Sequence, residues 1–159
     1  MNKPPASLRF LLQPPTAREP AIRVKTTGWY TPLPDDHLRI GISRGVPRRF
    51  PAGFRMYRKL QPGPWFNSVS TLEYDRLYKA EVLALLDPAK VIADLEAIAC
   101  GKIPVLCCYE RAGSGLWCHR ALAAQWLSDA LVHQSAGVGH EVLSQDDHPM
   151  MPQELRRGC

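Results

Sequence analysis

The run "IPVLCCY", Ile103 to Tyr109, constrains the fold of this chain more than any other stretch. It holds no polar side chain, and Gly101 and Glu110 bracket it. A run this short, apolar on both parities, is a strand covered on its two faces. Such strands occur in parallel sheets, whose connections usually travel through helices. The flanking sequence supplies those helices. "STLE" at Ser70–Glu73 is a capping box, with Ser70 as N-cap and Glu73 reaching back. The helix it opens aligns Tyr74, Tyr78, Val82 and Leu85 on one face. Asp87–Pro88 closes that helix and opens another, because Pro suits a first helical turn. Val91, Leu95 and Ile98 form the second helix's apolar stripe, and Gly101 stops it. A third helix starts near Cys118 and turns Leu122, Trp126 and Ala130 inward.

The strands "AIRVKTT" and "LRIGIS" (Leu38–Ser43) precede the helices, and "GHEVLS" follows them. The stretch around Phe50–Ser68 is rich in Pro and Gly and reads as irregular, although its aromatics should pack on the body. Residues 1–20 carry five prolines and read as an extended arm, and residues 146–159 read as a flexible tail. The expectation is one α/β domain over residues 21–145: a three-layer sandwich with a mainly parallel sheet. A chain of 159 residues suits one such core.

No apolar run approaches the roughly 20 residues that span a bilayer, and "LRFLL" is too short for a signal-peptide core. A cytoplasmic protein without a membrane partner is expected. The five cysteines, Cys100, Cys107, Cys108, Cys118 and Cys159, show no disulfide-framework spacing and read as reduced thiols. Cys100, Cys107 and Cys108 read most simply as core residues.

Charge is uneven. The net is +5, yet Leu38–Leu72 holds seven basic residues and no acid. The other thirteen basic residues are outnumbered by all fifteen acids, a net of −2. An anionic partner near residues 39–59 follows: a small molecule, or nucleic acid bound by a non-catalytic adaptor. Arginines paired with Glu73, Asp75 or Glu110 after folding would give the same pattern with no ligand.

Two motifs carry chemistry. Ligands of open parallel sheets bind beyond the strands' carboxyl ends. There the chain places "ISRGVPRRF" (Ile42–Phe50) and "CYERAGSGLWCHR" (Cys108–Arg120). If both strands are parallel, Ser43, Arg44, Arg48 and Arg49 approach Glu110, Cys118, His119 and Arg120. A glycine-bearing loop running into a helix start favours anions. A cysteine there, beside His119 and Arg120, gains thiolate character if exposed, and is a small buried hydrophobe otherwise. Arg44, Arg48 and Arg120 are the candidate anion ligands, Glu110 and His119 the acid–base groups, and Cys118 the nucleophile or wall.

Several familiar sites fail on spacing. GxxxxGK[ST] and GxSxG are absent. A cysteine phosphatase needs Arg six positions after its nucleophile, where Cys118 is followed by Ala124 and Cys108 by Ser114. Zinc could draw on Cys108, Cys118 and His119 with His37 or His140, but no short C-x-x-C spacing occurs. No metal ligand set is therefore assigned, and the cofactor stays unknown.

"ISRGVPRRFPAG", "EYDRLYKAEVLALLDP", "VLCCYE" and "CHRALAAQWL" together resemble the domain-of-unknown-function family 488, over roughly Arg23 to Val142. The resemblance implies a small cytoplasmic α/β domain of bacterial and phage occurrence, with no settled activity. Residue by residue it carries over Ser43, Arg44, Pro47, Arg48, Tyr109, Glu110, Cys118, His119 and Arg120. Tyr109 and Pro47 enter only in this way. The loop Arg111–Trp117 is longer than the family pattern.

Overall fold

A computed structural model of the chain describes residues 24–110, 117–134 and 142–144. Five parallel strands form one sheet: β1 (Val24–Gly28), β2 (His37–Gly41), β3 (Arg55–Met56), β4 (Ile103–Cys108) and β5 (Val142–Ser144). Their order is β3-β2-β4-β1-β5. The helices are α1 (Thr71–Glu81), α2 (Pro88–Ala99) and α3 (His119–Gln134). The expected α/β class with a parallel sheet is the one formed. The arm 1–20 and the tail 146–159 lie outside the described residues.

β4 is the central strand, as its apolar run predicts. It pairs with β2 on one side and β1 on the other, and is buried along nearly its whole length. The pleat sorts its side chains by parity. Leu106 faces the helices with Ile40 of β2 and Val24 of β1, against Tyr78, Leu95 and Leu127. Val105 and Cys107 face the opposite way, with Trp29. Full burial of a large apolar side chain stabilises by about 1.5–3 kcal/mol.

The two faces are covered differently. The helices pack on one face, with α2 and α3 in mutual contact. On the other face the described residues are loop segments carrying Leu33, Val46, Phe50 and Phe54. Trp29 sits there fully buried, edge-on to Phe50 and Phe54 at centroid distances of 5.0 and 5.4 Å. The Pro- and Gly-bearing stretch read as irregular is this cover, and it also supplies the two-residue strand β3, too short to leave a periodic signal. Arg39 is tied into the same face. It donates to the Gly28 and Thr31 carbonyls at 3.2 and 2.6 Å.

The helix ends follow the expected chemistry with three differences. Ser70 Oγ accepts from Glu73 N–H at 3.2 Å, but the Glu73 carboxylate turns to Arg76 at 2.6 Å, so only half of the capping box forms. After Glu81 the chain tightens into a 3₁₀ turn, Leu83–Leu85. Three residues per turn carry Leu85 off the buried face, leaving it 77% exposed, while Leu83 takes the inward position. Asp87 Oδ1 accepts from Ala89 N–H at 2.9 Å with Pro88 in the first turn, as expected. At the far end Cys100 itself adopts the left-handed cap conformation (φ 50°) ahead of Gly101 (φ 87°). Cys100 is therefore exposed, not a core residue.

Candidate functional site

Because β2 and β4 are parallel neighbours, their carboxyl ends share one edge of the sheet. The ladder continues past the ends of β2 and β1, both against β4: Ile42 N–H donates to the Cys107 carbonyl at 2.9 Å, and Trp29 N–H to the Cys108 carbonyl at 3.0 Å. The two motifs therefore meet. Between them lies a cavity of about 270 Å³. Six of the nine residues carried over by the resemblance line it: Ser43, Arg44, Tyr109, Glu110, Cys118 and His119. Cys108 and the aromatic walls Phe66, Tyr74 and Trp117 line it too.

The floor is a sulfur–imidazole cluster. His119 Nδ1 stands 3.7 Å from Cys108 Sγ and 4.0 Å from Cys118 Sγ. The ring's other nitrogen, Nε2, lies 3.1 Å from the Ile42 carbonyl. A carbonyl only accepts, so Nε2 carries a hydrogen, and Nδ1 is the atom turned to the sulfurs. Tyr78 meets the imidazole edge-on at 5.2 Å, and Tyr74 lies tilted at 6.1 Å, which fixes the ring plane. All three cluster residues are buried.

The thiols are not equivalent. A hydrogen bond from Cys118, assisted by His119, holds the Cys108 thiol well below its usual range despite burial. Burial pushes the Cys118 thiol up, and the negative charge at Cys108 pushes it further. Cys118, where exposure would be needed for thiolate character, is 1% exposed. Burial raises the Glu110 carboxyl, and the charge at Cys108 adds to that. For His119, burial pulls the pKa down, but the Cys108 charge and hydrogen bond outweigh it and the net shift is upward.

Ser43 is a structural part of the wall. Its hydroxyl accepts from Trp29 Nε1 at 2.9 Å and donates to the Gly45 carbonyl at 2.6 Å. Among the described residues Arg44 is the one Arg or Lys that lines the cavity. It donates to the Pro62 carbonyl at 3.0 Å, and its guanidinium lies 5.6 Å from the centre of the Phe66 ring. Tyr109 is half-exposed at the rim. Two cavity-lining residues hold buried polar atoms without a hydrogen-bond partner among the described residues, Glu110 Oε2 and Trp117 Nε1.

Two candidate anion ligands are elsewhere. Arg48 is exposed and outside the lining. Arg120 is fully buried beneath the site and donates to the Glu110 backbone carbonyl at 2.9 Å. It braces the segment after β4, with the backbone rather than the carboxylate as its partner. The rest of the basic stretch is dispersed: Lys59 pairs with Asp94 at 2.9 Å, and Arg49, Arg55 and Arg58 are exposed. His37, weighed as a distant ligand, is instead between Asp36 and Lys25. His140 lies outside the described residues.

Sequence reasoning left Cys108 in the core. The strand parity that turns Leu106 toward the helices also turns Cys108 toward them, which was the available signal. Phe66, Tyr74 and Trp117 gave none, because a cavity aromatic and a core aromatic read alike. Comparison with protein-family models, curated proteins and solved structures finds no match for this chain. The resemblance to family 488 rests on its motifs alone.

Proposed function

We propose that this chain is an enzyme-like protein that binds a small, ring-bearing anion in the cavity at the ends of β2 and β4. The observation that carries the reading is the composition of the cavity wall. Arg44 stands among aromatic walls, and Glu110 and the sulfur–imidazole cluster occupy the same cavity. That is the usual make-up of a ligand site: mostly apolar, with a few convergent polar groups. At about 270 Å³ it suits a ligand of roughly one or two rings. Phe66, Tyr74 and Trp117 offer stacking faces, and Arg44 offers a fork for one carboxylate or phosphate.

In this reading Arg44 binds and orients the anion, Glu110 exchanges a proton with the ligand's buried end, and His119, with both ring nitrogens engaged, holds the two sulfurs in place. The test is a thermal-shift and calorimetric screen of nucleoside monophosphates, carboxylated heterocycles and phosphosugars. A binding member should lose about ten- to a hundredfold in affinity on Arg44→Ala, the worth of a hydrogen bond to a charged group. The uncharged ring analogue should be indifferent to that change. If no member binds, or if Arg44→Ala and Glu110→Gln bind like the parent, the reading fails.

A further inference from the structure

We infer that Cys108, Cys118 and His119 form a three-ligand site for a zinc-class divalent cation, with the remaining coordination position facing the cavity. The inference rests on the reading of that cavity as the functional site, and it names the cofactor the site takes. Three observations lead to it.

The first is geometric. Zinc bonds thiolate sulfur at about 2.3 Å and imidazole nitrogen at about 2.0–2.1 Å, so a tetrahedral S–N edge spans roughly 3.6 Å. The edges from His119 Nδ1 are 3.7 Å to Cys108 and 4.0 Å to Cys118, and all three ligand atoms lie within 4.8 Å of one another. The two S–N edges need to close by at most a few tenths of an ångström, and the sulfurs, within 4.8 Å of each other, need to stand about 3.8 Å apart. The ligands sit where little can drift: Cys108 ends the central strand, and Cys118 and His119 lead into α3.

The second is the outer contact of the histidine. A metal-bound imidazole almost always donates its other N–H to a carbonyl or carboxylate, which fixes tautomer and ring orientation. Here Nε2 faces the Ile42 carbonyl at 3.1 Å and Nδ1 faces the two sulfurs. Two sulfurs and one imidazole are soft and borderline donors. They select zinc over magnesium or calcium, which prefer oxygen.

The third is the carboxylate beside the trio. Glu110 Oε2 is buried with no hydrogen-bond partner among the described residues, and Glu110 lines the same cavity. A buried carboxylate oxygen needs a donor. Water held at an open zinc position is one, and a three-ligand set leaves such a position, as catalytic zinc sites do. Short-spacing rules miss this site because nine residues separate Cys108 from Cys118 and the fold brings them together.

The experiment uses the full chain, purified under a non-thiol reductant and stripped with a chelator. Cobalt(II) is titrated in and followed by absorption. The expected result is saturation near one ion per chain, with the visible bands of tetrahedral cobalt and a near-ultraviolet sulfur-to-cobalt band. Zinc should then displace the cobalt and bleach both. Cys118→Ser and His119→Ala should weaken cobalt binding at least tenfold, whereas Cys100→Ser and Cys159→Ser should leave it unchanged. The parent's spectrum needs no variant to fold. Absence of the sulfur-to-cobalt band in the reduced parent overturns the inference, as does a band that survives both Cys118→Ser and His119→Ala. A Cys108–Cys118 disulfide that persists under reductant also overturns it. Binding of the ring-bearing anions by stripped protein is scored separately, so the metal site and the anion pocket fail independently.

Discussion

Gly41 lies on the loop-facing side of β2, where a Cβ would stand 2.4 Å from a ring carbon of Trp29 and 2.5 Å from Met56 Sδ. Trp29 is fully buried and donates to Ser43, so its ring has little room to yield. Gly41→Ala should destabilise the chain by about 1–3 kcal/mol, the usual cost of overpacking. The check is a urea midpoint that falls while the slope holds; an unchanged midpoint would mean that the indole and Met56 can move aside freely. Sequence alone left Gly41 unremarked inside "LRIGIS", because the reason for a glycine there is an indole twelve positions earlier. The same limit held for the cysteines. The alternation of Cys107 and Cys108 on β4 was legible, but the return of Cys118 and His119, at the start of α3, onto Cys108 was not.

The helical elements were the most readable part of the chain, since caps are local chemistry: Ser70, Asp87 and Pro88 each do their work within four residues. What joins one element to the next was not readable. Asp94 on α2 accepts from Tyr57 Oη at 2.8 Å and from Lys59 Nζ at 2.9 Å, fastening the turn before α1 to the helix after it. Lys59 and Tyr57 hold its carboxyl below the ordinary range. A carboxyl depressed in the folded state stabilises fully above its unfolded pKa of about 3.9, and that contribution is lost as pH falls through the folded value. Asp94→Asn should therefore unfold at lower temperature than the parent at pH 7, with the gap closing in acid below pH 4. A gap that stays constant down to pH 2 would assign the loss to packing instead. Leu85 shows the complementary failure: helical periodicity placed it inward, and the switch to a 3₁₀ turn moved it out.

At the scale of the whole molecule the α/β class followed from one apolar strand and its flanking helices, but the order of the strands did not. Parallel neighbours tolerate many orders, and only folding decided that β2 and β4 would be adjacent. The loops that close the second face leave their own signature. Cys107 is buried under them, whereas Cys100 is exposed. A thiol reagent mapped by mass spectrometry should label Cys100 in its fastest phase and Cys107 only at the pace of global opening. Equal rates would mean that the loop face opens locally. The strand order also has a meaning in time. β1 leaves the ribosome early, but its sheet partners are β4 and β5, and β4 begins at Ile103. At synthesis speeds of about 5–20 residues per second, β1 waits several seconds without a strand to pair with. A chain stopped at Gly101 should accordingly show no cooperative melting, and a nascent chain of that length is a client for whatever shields exposed strand edges. Of the described segments, the one made first is among the last to find its place.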